Sequence, residues 1–480
     1  MTMGPYGVHW ERTQTWWDLA PAYHQYLARC QYLLRRGLPV ADICYLLPEG
    51  APQVFRPPAS ATRGDPPDRR GYNFDGCAPD VLRQQASVKD GQLHFADGMS
   101  YRLLVLPEFD TMTPRLLRKI SELVHAGATV VGPPPRRSPS LADYPRGDAE
   151  VQRLARELWG DGGRPAAITE RRVGKGRIVW GGEVVASADS KAAPPPEVYP
   201  PYDVAKSLLA KMKVAPDFES DVQLRYTHRR DGDADIYFVA NPVATPVKAR
   251  ASFRVTGKQP ELWDAVTGDI RPLPDFTPEP DRTFVPLEFE AHQSFFIVFR
   301  HPTKPAKTPA PNFAKVVPLA EVGGPWQVSF QAGRGAPSPI RLDRLIDWTQ
   351  HTDAGVRHFS GLATYRTTFE TGAEFNNRSS GKRVFLDLGT VKVMAAVRLN
   401  GRDLGTAWTE PFRLDATAAL KAGTNTLEIR VANLWPNRLI GDAALPPDQR
   451  VAWTTWNPFA KDTPLLASGL LGPVRLLAEE

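Results

Sequence analysis

Apolar positions in the last third of the chain alternate with polar positions at a period of two residues. Hydrophobic side chains occupy every second position of 384–388, 397–399 and 427–431, and charged residues such as Arg398, Glu428 and Arg430 lie between them. This period places alternate side chains on opposite faces of a strand, so the segments predict half-buried strands of a β-sandwich. Asn400-Gly401 follows the second segment and favours a tight hairpin turn, which requires positive φ.

The first 215 residues show a different pattern. Apolar residues of 19–34 recur at three- and four-residue spacing and predict a helix, whereas 40–47, 101–106 and 129–131 are short apolar runs typical of strands. Thr113 and Pro114 can open a second helix and Gly127 can end it. The alternation predicts a doubly wound parallel α/β sheet. The three cysteines, Cys30, Cys44 and Cys77, lie in apolar patterns without CxxC spacing and are expected to be small buried hydrophobic residues.

Composition narrows the classes of partner. The 59 basic and 53 acidic residues among 480 are interspersed and give a net charge of +6, so no basic stripe indicates a nucleic-acid partner. No apolar run reaches the ~18 residues of a membrane span, and the first residues lack the pattern of a signal peptide. The compartment stays undetermined.

Several motifs resemble known families. "LNGRDLGT" (399–406), "PFRLDAT" (411–417) and "GTNTLEIRVAN" (423–433) resemble the jelly-roll, galactose-binding-like domain of glycoside hydrolases related to family 2. "NLWPNRLIGD" (433–442) and "GPYGVHWERTQTWW" (4–17) narrow the resemblance to the α-L-rhamnosidases of glycoside hydrolase family 106.

The resemblance implies that the chain is the C-terminal half of such an enzyme. In the family, the 4–17 motif lies near the end of the catalytic barrel, after its glutamates, which act by an inverting mechanism with an associated calcium ion. We therefore expect catalytic carboxylates and calcium outside this chain, no cofactor within it, and a periplasmic or secreted family setting. The expected domains are a barrel-edge remnant (1–28), an amidotransferase-like α/β domain (29–215), a small β-sandwich (216–300), a Pro-rich linker (301–323) and the jelly roll (324–480).

Two sets of side chains are candidates for sugar contact, because indole faces suit the apolar face of a pyranose and polar groups suit its hydroxyls. The alternative is core packing at the barrel edge for Trp16 and Trp17, and a structural hydrogen-bond pair for His9 and Arg12. For the jelly-roll tryptophans the alternative is packing in the core or between domains. For Glu11 a sugar contact, or a supporting role next to the groups that contact the sugar, is preferred over direct acid/base work. The candidates are His9, Glu11, Arg12, Thr13, Trp16 and Trp17 near the N-terminus, and Trp408, Trp435, Asn437 and Arg438 in the jelly roll.

The sequence gives little support for amidotransferase chemistry or for a calcium site. An amidotransferase needs a cysteine or serine at a strand-to-helix elbow, and the turn "VLPEFDTMT" (105–113) has neither, so a spacer or assembly surface is expected. Asp387, Asp415 and Asp442 are acidic, but no spaced calcium loop contains them.

Three functions remain open. The chain is the accessory half of a rhamnosidase acting on rhamnose-containing glycans, completed by a separate barrel polypeptide; or a carbohydrate-binding protein without hydrolytic activity; or an inactive structural remnant.

Overall fold

The computed structural model describes residues 10–50, 54–64, 68–182, 197–303, 310–372 and 382–480. Seven helices lie in this part of the chain: α1 (Pro21–Leu34), α2 (Pro79–Gln85), α3 (Pro114–Ala126), α4 (Arg146–Trp159), α5 (Tyr202–Lys211), α6 (Ala354–Arg357) and α7 (Pro436–Ala443). No helix among them combines the length and apolarity that a membrane crossing requires.

Strands are numbered along the chain. As far as residue 182 they are β1 (Leu38–Pro39), β2 (Ile43–Leu46), β3 (Thr62–Arg63), β4 (Asp68–Arg69), β5 (Phe74–Cys77), β6 (Ser87–Lys89), β7 (Gln92–His94), β8 (Ser100–Tyr101), β9 (Leu103–Val105), β10 (Thr129–Val131), β11 (Thr169–Val173) and β12 (Gly176–Trp180). The middle strands are β13 (Phe218–Ser220), β14 (Arg225–Asp231), β15 (Ala234–Ala240), β16 (Val247–Phe253), β17 (Lys258–Trp263), β18 (Ile270–Pro272), β19 (Thr277–Pro278), β20 (Thr283–Phe289) and β21 (Ser294–Pro302). The last group comprises β22 (Val316–Glu321), β23 (Trp326–Phe330), β24 (Ile340–Leu342), β25 (Leu362–Thr371), β26 (Val384–Asp387), β27 (Thr390–Lys392), β28 (Met394–Leu399), β29 (Arg402–Ala407), β30 (Arg413–Asp415), β31 (Gly423–Ala432), β32 (Gly469–Gly472) and β33 (Arg475–Glu479).

The α/β part contains a parallel sheet in the order β5-β2-β9-β10-β12, with β11 antiparallel at one edge. Helices α2, α3 and α4 cover one face of this sheet, and α5 covers the other. The predicted helix of 114–126 is confirmed: the Thr113 hydroxyl accepts a hydrogen bond from the Leu116 amide, and Gly127 ends the helix at φ 130°. Cys30, Cys44 and Cys77 are all buried, as predicted.

A β-sandwich follows. Its two antiparallel sheets, β1-β14-β15-β21-β17-β18 and β13-β16-β20-β19, enclose Tyr237, Phe253 and Phe299. Strand β1 comes from the segment that precedes the α/β sheet and pairs with β14. Helix α1 packs on the outside of the first sheet, where Cys30 and Leu33 join a cluster with sheet residues such as Phe296 and Val298. The first helix of the chain therefore belongs to the sandwich in space.

The C-terminal β-domain has two sheets, β22-β33-β26-β30 and β24-β23-β25-β31-β28-β29. They enclose a core that includes Trp326, Trp348 and Tyr365. The predicted alternation is confirmed, since Val397 and Ile429 are fully buried. The turn at Asn400-Gly401 has positive φ at both residues, as a tight hairpin requires. The predicted mixture of α/β and all-β structure is therefore present.

The N-terminal segment 10–20 lies on the outward face of the larger C-terminal sheet. Trp16, Leu19 and Ala20 form a buried cluster with Met394 and Ala432 of that sheet. Trp16 is only 6% exposed. Two distant parts of the chain are thus joined by apolar packing.

A buried charged network joins the α/β part to the sandwich. The guanidinium of Arg254 donates to both carboxylate oxygens of Asp42, at 3.1 and 3.0 Å, and lies 3.4 Å from Asp217. The two ring nitrogens of His228 lie 2.9 Å from Asp217 and 3.2 Å from Asp235. Both nitrogens face carboxylate oxygens, which can only accept, so this geometry favours the protonated imidazole, in which each nitrogen donates.

Opposite charges outweigh burial at His228, Asp217 and Asp235, whereas burial raises the pKa of Asp42 although Arg254 lies beside it. Burial alone lowers the pKa of His228, but the carboxylates of Asp217 and Asp235 raise that pKa above its ordinary value. Burial would raise the pKa of both aspartates, yet their interactions with cations such as His228 hold each pKa below its usual range. The stabilisation from His228 is therefore present below its unfolded pKa of ~6.5 and is lost as pH rises through the folded value. The stabilisation from Asp217 and Asp235 is present above their unfolded pKa of ~3.9 and is lost as pH falls through their folded pKa values.

We predict that the melting temperature of the protein falls as pH rises from about 6.5 to 9, and that His228→Gln flattens this fall because it removes the titrating group. Melting curves followed by circular dichroism across this range measure the effect. His94→Gln, which changes a histidine on β7 outside the network, is the control and retains the wild-type profile. Parallel pH profiles for His228→Gln and wild type would contradict the prediction.

We also predict that Trp16→Ala destabilises the protein by about 3–5 kcal/mol, since it removes a large buried side chain between the N-terminal segment and the C-terminal sheet. Urea unfolding measures the free energy, and faster proteolytic cleavage within 10–20 reports release of the segment. The matched control is Trp456→Ala, because Trp456 is 68% exposed and its loss costs at most about 0.5 kcal/mol. Similar unfolding midpoints for the two variants would rule out the proposed docking contact.

Candidate functional site

Segment 10–20 is a series of tight turns that leads into helix α1. The amide of Gln14 donates to the Glu11 carbonyl, and the amide of Trp17 donates to the Gln14 carbonyl. A 3-10 turn at Trp17–Leu19 follows, and α1 begins at Pro21, a residue suited to the first helical position. These turns hold the segment against the sheet and separate its side chains into an inner and an outer set.

The outer set combines rings and polar groups. Trp10 and Trp17 are 43% and 39% exposed, and Glu11, Arg12 and Thr13 are also exposed. The Thr13 hydroxyl donates to a carboxylate oxygen of Glu11 at 2.5 Å, which orients this acid. Trp16 points inward, so neighbouring tryptophans have opposite environments. Both tryptophans were candidates for sugar contact, but Trp16 packs in the core, which was the alternative, and Trp17 is exposed.

The C-terminal β-domain contributes Trp435 to the same place. Its indole nitrogen donates to the Thr13 carbonyl at 2.9 Å, and the hydroxyl of Thr15 donates to the carbonyl of Asn433. The guanidinium of Arg334 lies 4.6 Å from the centre of the Trp435 ring. The two hydrogen bonds bring together residues more than 400 positions apart. We call the surface formed by Trp10, Glu11, Arg12, Thr13, Trp17, Arg334 and Trp435 the aromatic wall.

The remaining candidates are placed differently. Trp408 packs against Tyr23 and Tyr26 of α1, with ring centres 4.9 and 5.1 Å apart. Asn437 is buried, and its amide group bonds the backbone of Leu466 in both directions. These two residues hold elements of the structure together. His9 lies outside the described residues.

Arg438 is also buried. Its guanidinium lies 3.4 Å from the Asp442 carboxylate, and burial lowers its pKa. Asp442 in turn accepts hydrogen bonds from the amides of Val451 and Ala452. This pair therefore stabilises the loop that follows α7.

Two residues of the aromatic wall were not among the sequence-based candidates. Trp10 lies within the N-terminal motif, and its ring stacks on Tyr23 with centres 5.0 Å apart. Arg334 lies about a hundred positions before Trp435 in the sequence, so no local pattern connects them. Trp10 could have been chosen as a candidate because it lies in the motif, whereas only the tertiary structure shows that Arg334 lies beside Trp435.

The aspartates considered for calcium do not fit such an ion. One oxygen of Asp387 accepts from the Gly389 amide and the other from Arg413, while Asp415 accepts from the Thr417 amide. Asp442 is held by Arg438, as described above. Within the described ranges, no group of three or more acidic, histidine or cysteine residues converges on a point. No chemical step here is assigned to calcium.

The α/β sheet was considered for amidotransferase chemistry. At the turn after β9, Glu108 forms an ion pair with Arg164 at 3.1 Å. The residues of this turn offer a paired carboxylate where a nucleophile would be needed. The expectation of a spacer or assembly surface stays a prediction.

Comparison with known proteins gives independent information. Residues 1–277 match the model of glycosyl hydrolase family 106, described as alpha-L-rhamnosidase, and residues 352–454 match a glycosyl hydrolase 2 galactose-binding domain-like model. The solved structure of a rhamnosidase from Novosphingobium sp. PP1Y is 34% identical, with a TM-score of 0.82 over 98% of this chain and 42% of that one. A protein of Formosa agariphila, named provisionally as a beta-glucuronidase, is 24% identical over 99% of this chain and 58% of its own length.

The chain thus spans about half the length of these two relatives. The family 106 model covers more than half of the chain and includes the segment that forms most of the aromatic wall. This chain belongs to glycoside hydrolase family 106, the alpha-L-rhamnosidase family.

Proposed function

We propose that this chain is the accessory, C-terminal part of an α-L-rhamnosidase and that the aromatic wall contacts the sugar. The contact of the family 106 segment with Trp435 carries this proposal, because it forms a preorganised surface from two ends of the chain. The indole faces of Trp17 and Trp435 suit the apolar face of the deoxy sugar. Arg12, Glu11 and Thr13 offer donors and acceptors for its hydroxyl groups.

The wall suits binding better than bond cleavage. An inverting glycosidase needs an acid and a base, with carboxyl groups about 6.5–9.5 Å apart across the scissile bond. Glu11 is the carboxylate of the wall, and the hydroxyl of Thr13 already engages one of its oxygens. A carboxylate held in this way is suited to accept from a sugar hydroxyl. We infer that the catalytic pair, and calcium if the complete enzyme uses it, are supplied by a catalytic barrel outside the residues of this sequence.

The other domains support this role mechanically. The α/β part, amidotransferase-like in our interpretation, acts as a spacer, and the C-terminal β-domain, a jelly roll in this interpretation, carries Trp435. The substrate class we propose is a rhamnose-containing glycan or glycoside. The competing functions are a carbohydrate-binding protein that works without hydrolysis and an inactive remnant. Of these two, the open and partly apolar wall favours a carbohydrate-binding protein over an inactive remnant.

We predict that the purified chain does not hydrolyse aryl α-L-rhamnosides, because the described residues of the wall include one carboxylate, Glu11, and no second one to pair with it as acid and base. Release of the aryl group from a chromogenic rhamnoside measures activity. Supplying the catalytic barrel of a family 106 enzyme in trans is expected to yield activity and a complex. Turnover by the chain alone that disappears in Glu11→Gln would show that Glu11 is catalytic and would overturn the accessory role.

We further predict that Trp17→Ala weakens binding of an aryl α-L-rhamnoside by roughly 1–3 kcal/mol, the scale of losing an aromatic platform. Isothermal titration calorimetry measures the binding. Trp453→Ala is the matched control, since Trp453 is 85% exposed and lies outside the wall. Undetectable binding by wild type would favour the remnant, and binding that both variants weaken equally would exclude the wall as the binding site.

A further inference from the structure

A second surface lies on the same sheet as the aromatic wall. On the larger C-terminal sheet, the outward positions of adjacent strands form one row across β24, β23, β25, β31 and β28. The pairing register sets this row as Arg341, Gln327, Arg366, Glu428 and Arg398. These residues line a groove of about 790 Å³, flanked by Pro325 and Ile340. We call it the basic groove.

The basic groove carries a small excess of positive charge. Arg366 forms an ion pair with Glu428 at 2.7 Å, and Arg341 forms one with Asp343 at 3.2 Å. The side chain of Arg398 lies between Glu428 and Asp403 of the neighbouring strands but makes no ion pair or hydrogen bond with the described residues. Arg430 lies one outward position from Glu428 and adds a further positive charge. Exposed guanidinium groups form planar, two-pronged hydrogen bonds with carboxylate and sulfate groups. An anionic ligand would therefore complement this surface.

Neutral sugars are recognised mainly by stacking on exposed aromatic rings together with hydrogen bonds. Among the described residues that line the groove, the only aromatic one is Trp326, and it is 1% exposed. Thr368, Thr426 and Gln327 offer exposed hydroxyl and amide groups suited to sugar hydroxyls. The chemistry of the groove indicates a ligand that carries both negative charges and hydroxyl groups.

The groove continues the surface on which the aromatic wall is seated. Trp16 packs near Ala396 and Ala432, and these two residues share the outward face with Arg398 and Glu428. Ala432 is four residues from Glu428 along β31, which corresponds to roughly 13 Å. The N-terminal segment thus covers one end of the face, and the basic groove occupies the uncovered part next to it.

We propose that the basic groove binds the acidic portion of a glycan chain, with Arg366 and Arg398 receiving its carboxylate or sulfate groups. For a glycan whose rhamnosyl end lies at the aromatic wall, the groove would hold the following acidic units. That continuity rests on the proposed function, whereas binding of acidic glycan at the groove does not.

The test uses the purified chain and the double variant Arg366→Gln/Arg398→Gln. Its charge-matched control is Arg171→Gln/Arg172→Gln, two exposed arginines on β11 of the α/β part. Binding is measured at low salt with sodium polygalacturonate as the uronate probe, dextran sulfate as the sulfate probe, dextran as the neutral polymer and poly-L-glutamate as an acidic peptide. Melting curves confirm that both variants are folded.

We expect the groove variant to bind the preferred acidic polysaccharide about tenfold more weakly than the control, and binding to weaken as salt is added. The probe that binds more tightly distinguishes uronate from sulfate as the ligand group. Equal loss in both variants would indicate non-specific attraction, and equal binding of dextran would exclude charge recognition. Either result would overturn the proposal.

The acidic peptide and the wall variant complete the test. Poly-L-glutamate bound as tightly, and lost in the same double variant, would identify an acidic protein surface as the partner and contradict a glycan site. Polygalacturonate contains no rhamnose, so Trp17→Ala is expected to leave its binding unchanged. Loss of rhamnoside binding with retained polygalacturonate binding therefore tests the wall separately from the groove.

Discussion

The arrangement of the candidate sites depends on helix α1, because this helix contacts two domains. Its first half meets the C-terminal β-domain, where Tyr23 and Tyr26 pack against Trp408. Its second half packs on the sandwich through Cys30 and Leu33. A helix of this length is rigid, so one element fixes two domains relative to each other. Segment 10–20, which leads directly into α1, is therefore held against the larger C-terminal sheet.

The buried network around Arg254 extends this frame to the α/β part. Asp42 precedes the first strand of the parallel sheet, whereas Asp217 and His228 belong to the sandwich. Removing one member would leave an uncompensated buried charge, which costs several kcal/mol in proteins. The network therefore specifies how the two parts meet, and α1 specifies how the sandwich meets the C-terminal domain.

The outward face of the larger C-terminal sheet has two uses in this structure. Apolar residues at one end, Met394 and Ala432, receive the N-terminal segment. Further along the same strands, Arg398 is exposed, and Glu428 is half-buried and ion-paired with Arg366. A sheet face in a single-domain sandwich is commonly solvated throughout. Here the covered end builds the aromatic wall, and the open end forms the basic groove beside it.

Local sequence determined the elements, since their signals act over a few residues. The alternation at 397–399 predicted which side chains are buried, Asn400-Gly401 predicted the hairpin, and Thr113 and Gly127 predicted both ends of a helix. The apolar runs 40–47 and 101–106 contain β2 and β9 but extend beyond them, so both strands are shorter than predicted. The family motifs also identified segment 4–17 and Trp435 as candidates before their contact was known.

Tertiary structure alone decided which candidates share a surface. Trp16 and Trp17 are identical neighbours, yet one is buried by the C-terminal sheet and the other is exposed. Trp408 and Trp435 lie in similar polar loops, but one packs on α1 and the other joins the wall. Arg366 and Arg398 become neighbours of Glu428 only through strand register. The physical reason is that periodicity sets which way a side chain points, whereas residues distant in sequence decide what covers it.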